Sequence, residues 1–593
     1  MAVPVLTLLT LAISVSSAYS TTGKKMKIRE VEINGNAAVD DHRILRLMIS
    51  RPSKFLKRVY YYPEILTDDI ANIERFYQRN GYLNAKIREF QVEFDSVNAY
   101  VDLKIAIEEG PLTRVEGIAV FGNTVFEDSL LLKKVKQKKE DPFKRTEVQN
   151  GMLSMLSLYA EEGYLNAAIQ PDIRINEDNH LAIIDFIVKE GSQFAIADLR
   201  IDTLRKTRKN VVQRELLFKT GEIVRYSRLQ ESQRRLYLTG LFESVFIRPV
   251  ATSSGDSTQK DILIEVKESL SSEFNAKAGY GSVEKVGGKV EILTTNLSGT
   301  ARKISAGASA NFIKRRVEMS FTEPWTLNTR FRTDLNLFFE FLDEPGYQLS
   351  RYGGKITEGR SLGRSSSVSL SYRYENGEIK HVNVYPLPTE YDTKIRSLSL
   401  SLTRDTRDNI FNPKRGTYSE WTNEIAGAFL KGNHTFFRSV VRVKCFKSLD
   451  LNTVVGSAIE VGWIDYFGDS NEIPLTERFY AGGPNSLRGF RYEMVGPLHN
   501  QEIPVGGNMK VVWNALEIRR AVYKIIGIGA FLDVGNVWSF VSQAKLPSLR
   551  TSIGAGIRAN TSIGILRLDY GFNINPRDWE PSGQLYFSMG HAF

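Results

Sequence analysis

The sequence predicts three small α+β modules followed by a membrane-spanning antiparallel β-barrel of about sixteen strands. Three observations predict it. The string Gly-Tyr-Leu-Asn-Ala occurs at Gly81–Ala85 and again at Gly163–Ala167, each time after a helix-like stretch, and a looser copy lies at Leu236–Glu243. From Ser271 onward the helical period gives way to alternation over segments of roughly ten residues. The 593 residues are too many for one core, and suit three small domains and a large one.

The chain opens with an apolar stretch, Ala2–Val15, too short to span a bilayer and of the length of a signal-peptide core. Ala18-Tyr19-Ser20 offers small residues for cleavage, so residues 1–20 are expected to be a signal peptide, although no Lys or Arg precedes the apolar core. Each module then starts with a strand-like run (Ile28–Ile33, Arg114–Phe121, Ala195–Ile201) and ends with an alternating one (Tyr100–Ile107, Leu181–Val188, Asp261–Val266). Two helical patterns and another strand lie between. The order is strand, helix, helix, strand, strand, and two helices on one face of a three-stranded sheet bury a single apolar layer. Gly81, Gly163 and Gly240 suit helix C-termini, where a left-handed residue is needed. Asn34-Gly35-Asn36 and Gly122-Asn123 read as turns. Glu109-Gly110, Glu190-Gly191 and Glu268 close the modules, which are placed at 25–110, 111–191 and 192–268.

In the tract 269–593, Phe274, Ala276, Ala278 and Tyr280 alternate with Asn275, Lys277 and Gly279, and Leu398, Leu400 and Leu402 alternate with serines. Leu585, Phe587, Met589 and Phe593 share one face opposite Ser588, Gly590 and Ala592. A soluble sandwich and a membrane barrel both fit such alternation. Size separates them, because the 325 residues allow about sixteen strands at roughly 20 residues each, and closure removes every sheet edge. Trp325, Phe338-Phe339, Tyr466-Phe467 and Trp538 are expected at strand ends, as an interfacial girdle. Gly287-Gly288-Lys289 is read as a hairpin turn.

The net charge of +10 is spread over both halves, and basic runs such as Lys133–Lys139 read as solvated faces, with no nucleic-acid partner. The single cysteine, Cys445, excludes an intramolecular disulfide and any multi-cysteine metal site, and the six histidines show no metal-binding spacing. No nucleophile elbow, Walker loop or dinucleotide fingerprint occurs. No catalytic residue, metal or cofactor is assigned.

The stretch Glu477-Arg478-Phe479-Tyr480-Ala481-Gly482-Gly483-Pro484-Asn485-Ser486-Leu487-Arg488-Gly489-Phe490 resembles the signature loop of the outer-membrane assembly family that includes BamA and TamA. Arg404-Asp405-Thr406-Arg407-Asp408-Asn409 with Asn412-Pro413-Lys414-Arg415-Gly416, the segment Phe531–Trp538 and the terminal Phe593 add to the likeness. The resemblance implies that the modules are POTRA domains and that the loop, with Gly482, Gly483, Leu487, Arg488, Gly489 and Phe490, folds back into the barrel. It implies Asp533 as the wall partner of Arg488, a pair for which an Arg on a glycine-flanked tip is chemically suited. Leu487 stands where valine is usual, and His591 where an apolar residue is expected. The Arg404–Asp408 charges read equally as a solvated turn.

The function implied is assembly and insertion of β-barrel proteins into the outer membrane of a Gram-negative cell, with the modules in the periplasm. Unfolded clients would be held by strand addition at module edges and inserted at a seam between the strands at Phe274, Gly279 and Gly281 and at Leu585, Phe587, Gly590 and Phe593. Outer-membrane lipids, accessory lipoproteins and a periplasm-spanning partner complete the expected partners. The alternative is a two-partner secretion pore, disfavoured because such relatives carry two modules and an N-terminal plug helix.

Overall fold

The computed structural model describes residues 25–53, 58–252, 255–256, 258–561 and 564–589. The expected signal peptide, Gly590, His591 and Phe593 lie outside the described residues. Two compact units form, one from residues up to 202 with 215–235 and 246–265, the other from 203–214, 236–245 and 266 onward.

One plan recurs three times. The first module has β1 (Lys27–Asn34), α1 (Asp41–Leu47), α2 (Pro63–Arg79), β2 (Lys86–Asp95) and β3 (Tyr100–Glu108). The second has β4 (Arg114–Phe121), α3 (Asp128–Leu132), α4 (Arg145–Glu161), β5 (Ala168–Asn176) and β6 (Leu181–Lys189). The third has β7 (Ala195–Asp202), α5 (Lys209–Gln213), α6 (Tyr226–Leu238), β8 (Phe242–Ala251) and β9 (Gln259–Glu268). The closing strand is central in each sheet, and the opening strand runs parallel to it. Alternation explains this, since Val101, Leu103, Ile105 and Ile107 of β3 all face one apolar layer with Ile44, Ile73 and Tyr77 from the helices. Val148, Met155 and Tyr159 of α4 cover Ala182, Ile184 and Phe186 of β6 in the same way.

The repeated glycines do more than end helices. Gly81 and Gly163 have φ of +102° and +86°, and their carbonyls accept hydrogen bonds from Thr113 N (2.9 Å) and Phe194 N (3.0 Å) at the start of the next module. They are joints. The closing glutamates recur as anchors of the turn after the opening strand. Glu109 accepts from Ala38 N at 2.9 Å, Glu190 from Thr124 N (2.7 Å) and Val125 N (2.9 Å), and Glu268 from Thr207 N at 2.8 Å. Tyr77 and Tyr159 donate their hydroxyls to Glu109 (2.9 Å) and Glu190 (2.7 Å). At Glu190 burial opposes ionisation, but the bonds from Thr124, Val125 and Tyr159 outweigh it and hold the carboxyl down at about 2.

The second unit holds a sixteen-stranded antiparallel sheet in chain order. Its strands are β10 (Ser272–Gly281), β11 (Lys285–Leu297), β12 (Arg302–Ala310), β13 (Lys314–Glu323), β14 (Arg332–Glu344), β15 (Tyr347–Leu362), β16 (Ser366–Lys380), β17 (Asp392–Asp405), β18 (Gly416–Ala426), β19 (Phe436–Ser448) and β20 (Thr453–Tyr466). A long loop carrying a small hairpin, β21 (Leu498–His499) with β22 (Ile503–Pro504), leads to β23 (Met509–Tyr523), β24 (Ile526–Trp538), β25 (Arg550–Thr561), β26 (Gly564–Asn573) and β27 (Gly583–Met589). The usual inside and outside are inverted. Phe274, Ile292, Met319, Leu337, Leu370, Leu400, Trp421, Ile553 and Leu585 are exposed, while Glu340, Glu375, Glu424, Glu517, Asp533, Arg558, Arg567 and Asp569 are buried. Such a surface needs hydrocarbon around it, which a soluble sandwich does not have.

Three expectations are corrected. Gly287, Gly288 and Lys289 lie inside β11, paired with Gly279, Ala278 and Lys277, and the turn falls at 282–284. Phe338 and Phe339 sit in mid-strand, where Phe338 turns inward under Arg316 at 4.3 Å. Trp538 ends β24 but is buried, with its Nε1 donating to Ser548 Oγ at 2.8 Å. Glycine content and aromatic clustering do not reveal which strand residue faces inward.

Candidate functional site

The loop between β20 and β23 folds back on itself. Phe479 and Gly507 exchange backbone bonds at 2.8 and 3.0 Å, and Val495 N donates to Ala481 O at 3.0 Å. Phe479 packs its ring on Gly462 of β20, where any side chain would collide. Gly482 (φ +108°) and Gly483 (φ +105°) turn the chain into the tip, and a Cβ on Gly482 would lie 2.4 Å from Arg491 O. Leu487 and Phe490 are buried with Val512 of β23 and Val537 of β24. Gly489 touches the wall, for its Cβ would stand 2.4 Å from Ser552 Cβ and 3.0 Å from Phe572 O.

Arg488 is wholly enclosed. Its Nε donates to Asp533 Oδ2 at 2.8 Å and its Nη2 to Oδ1 at 2.7 Å, while Nη1 donates to Glu517 Oε2 at 2.8 Å. Asp569 lies 3.9 Å away, and the guanidinium stacks 3.5 Å from the Phe531 ring centroid. Asn514 bridges tip and wall, donating to Ser486 O (2.8 Å) and Asp533 Oδ1 (2.9 Å). A fork with each of its three nitrogens donating to a carboxylate is held in one geometry.

Glu517, Asn514 and Asp569 escaped sequence reasoning, and Phe531 was matched there only as part of its segment. A register shift between Asn514 and Leu516 breaks the alternation of β23 and turns both Asn514 and Glu517 inward.

The seam lies beside this tip. Phe274 and Tyr280 of β10 and Leu585 of β27 point outward, and Gly279 has open space where a Cβ would be. Gly281 would meet only the Glu284 carboxylate. Among the described residues, β10 and β27 share no ladder: Ser282 N donates to Phe587 O (3.0 Å), Phe587 N donates to Ser282 Oγ (2.7 Å), and the Tyr280 and Phe587 rings lie 6.1 Å apart. The tip grips the last strand from inside, because Tyr586 Oη donates to Phe490 O at 2.7 Å. Arg567 of β26 joins both, donating to Pro484 O at 3.0 Å and Ser588 Oγ at 2.9 Å. Asp405 at the end of β17 pairs with Arg407 of the following turn, where Asp408 caps Lys414 N and Arg415 N.

Residues 296–593 match the Omp85 superfamily domain, and residues 26–110, 113–191 and 194–269 match the POTRA repeat, described as a surface antigen variable number repeat. The chain belongs to the Omp85 superfamily. Within it, the chain is 26% identical over 592 residues to the outer membrane protein assembly factor BamA of Nitratidesulfovibrio vulgaris, covering 96% of this chain and 74% of that protein. It is 25% identical to the protein of the same name from Neorickettsia risticii, covering 92% and 75%. The crystal structure of BamA from Haemophilus ducreyi lacking POTRA domains 1-3 matches with a TM-score of 0.67 at 21% identity, over 81% of this chain and 99% of that one, and so shares the Omp85 fold.

Proposed function

We propose that this chain folds and inserts β-barrel proteins into the outer membrane, where its barrel resides with the modules on the periplasmic side. The observation that carries the reading is the seam, at which the two terminal strands of a membrane sheet share no ladder among the described residues and β27 is held to the turn after β10 by two hydrogen bonds at Ser282. Unpaired backbone groups are costly in hydrocarbon, so an edge that opens there accepts a client strand readily. The relatives named as assembly factors support the same reading.

Clients arrive unfolded and are held by strand addition at the module edges. Among the edges formed by the strands after the helices, Pro171 interrupts β5 and Pro249 interrupts β8, whereas β2 has no proline, so of these three the first module's edge is the uninterrupted one. Transfer then proceeds by exchange of backbone hydrogen bonds, with no covalent step, nucleotide or cofactor. The Arg488–Asp533 pair keeps the tip in place against the last strand until a client engages. Outer-membrane lipids surround the barrel, and accessory lipoproteins or a periplasm-spanning protein deliver clients to the modules.

Cysteines at Ser282 and Phe587 in a Cys445→Ser background test this, since Ser282 N donates to Phe587 O at 3.0 Å and Phe587 N to Ser282 Oγ at 2.7 Å, which holds the two residues against each other. Oxidation is expected to stop client assembly and reduction to restore it. Undiminished assembly with the seam locked would overturn the seam mechanism.

A further inference from the structure

Glu477 lies on the descending arm of the loop, away from the Arg488 tip, in a single 3-10 turn at Leu475–Glu477. It is 3% exposed. Its carboxylate accepts from Arg373 of β16 at 2.9 and 3.2 Å and stands 2.9 Å from Arg438 of β19. Glu424 of β18 faces the same two arginines, 2.9 Å from Arg373 and 3.0 Å from Arg438 Nε. Two cations thus meet one acid from the wall and one from the loop. Both guanidiniums therefore draw part of their charge balance from the loop acid, which is itself almost fully buried.

This four-membered cluster ends a chain of ion pairs that starts beside the seam. Lys289 of β11 faces Glu318 (3.3 Å), Arg316 faces Glu318 (3.0 Å) and Glu340 (2.9 Å), and Arg351 faces Glu340 (2.9 Å) and Glu375 (2.9 Å). Glu375 lies 3.7 Å from Arg373, which holds Glu477. Beyond Glu477 the link runs through the loop itself to Phe490 and to Tyr586 and Ser588 of the last strand. The strand next to β10 and the strand β27 are therefore joined the long way round, and Glu477 is the point at which the wall hands over to the loop.

We propose that Glu477 is a second anchor of the lumen loop, a positioning residue that fixes the descending arm against β16 and β19 so that the tip can hold the last strand at the seam. Ile473, Leu475 and Phe479 pack the same arm on the wall, and Glu477 adds the charged contact that sets its position there, so that with Arg488 at the tip the loop is held as a crossbar. For its consequence in client assembly this rests on the function proposed above, but the coupling of arm to last strand does not.

The test reads the last strand directly and needs no client. In a Cys445→Ser background carrying Ser588→Cys, alkylation of the buried thiol by a water-soluble maleimide reports how often Arg567, and the tip it holds through Pro484, leave β27. Glu477→Gln is expected to raise that rate about tenfold, equivalent to about 1.4 kcal/mol. Glu424→Gln, which removes the wall acid from the same arginines, is expected to leave it within about twofold of the parent, because the loop keeps its anchor. Glu477→Asp is expected to fall between the two, and it serves if the glutamine variant does not fold. An unchanged rate in Glu477→Gln, or equal acceleration by Glu424→Gln, would overturn the proposal. Faster alkylation with undiminished client assembly would leave the anchor standing and count against the proposed seam mechanism instead.

Discussion

Arg488 and Asp533 meet through two parallel hydrogen bonds of 2.8 and 2.7 Å, and neither side chain has solvent-accessible surface. Removing one partner from such a pair leaves the other charge buried and alone, at a cost of about 3–5 kcal/mol. Arg488→Ala is therefore expected to release the loop tip, seen as rapid tryptic cleavage after Arg491 in the folded barrel. Arg488→Lys keeps the charge but not the fork and is expected to release it in part.

Exchanging the two residues is expected not to rescue either single change. A carboxylate at position 488 would face Glu517, now 2.8 Å from the guanidinium, and Asp569. Recovery of loop protection in the Arg488→Asp, Asp533→Arg double variant would show that the other two acids contribute little.

The glycines divide by what surrounds them. Gly489→Ala places a methyl against Ser552 and Phe572, and overpacking of this kind costs about 1–3 kcal/mol. Gly279→Ala meets open space and is expected to stabilise β10 by about 0.5–1 kcal/mol. The first is expected to expose the loop to protease, and the second to raise the unfolding temperature and slow client insertion.

The repeated glycines differ in the same manner. A Cβ on Gly163 would lie 2.6 Å from Ile223 Cγ2 and one on Gly81 2.9 Å from Leu112 Cδ1, whereas Gly240 has nothing within 4 Å. All three share the strain of a positive φ. Gly81→Ala and Gly163→Ala are expected to lower the urea midpoint of the 25–268 segment more than Gly240→Ala does.

Glu190 supplies a pH dependence. Its carboxyl is held at about 2, below the ordinary 4.5, so its bonds to Thr124, Val125 and Tyr159 stabilise the second module fully above pH 4.5 and are lost as pH falls towards 2. In urea unfolding, the deficit of Glu190→Gln relative to the parent segment is expected to be constant from pH 7 to 5 and to shrink below that.

Much of the fold was legible in the sequence because periodicity is a local property. The duplicated Gly-Tyr-Leu-Asn-Ala marked the modules, and alternation from Phe274 to Leu585 marked sixteen strands, since side-chain direction follows residue parity wherever a strand is regular. Where β23 bulges at Asn514, parity fails and Glu517 was missed. The Gly-Gly-Lys of β11 misled for a related reason: glycine marks backbone freedom, and whether that freedom makes a turn or a close packing face depends on the neighbouring strand.

By itself the sequence determined the order and type of the elements, the inverted distribution of apolar and charged residues, and a loop rich in glycine around Arg488. Only the tertiary structure decided which charges meet. Arg488 reaches Asp533 across 45 positions and Glu477 reaches Arg373 across 104, and contacts that distant are set by strand register and loop path, which no local pattern encodes. The repeated Gly81 and Gly163 show the same division. Their positive φ follows from a helix end, but their role as joints follows from the Thr113 and Phe194 amides that the next module brings to them.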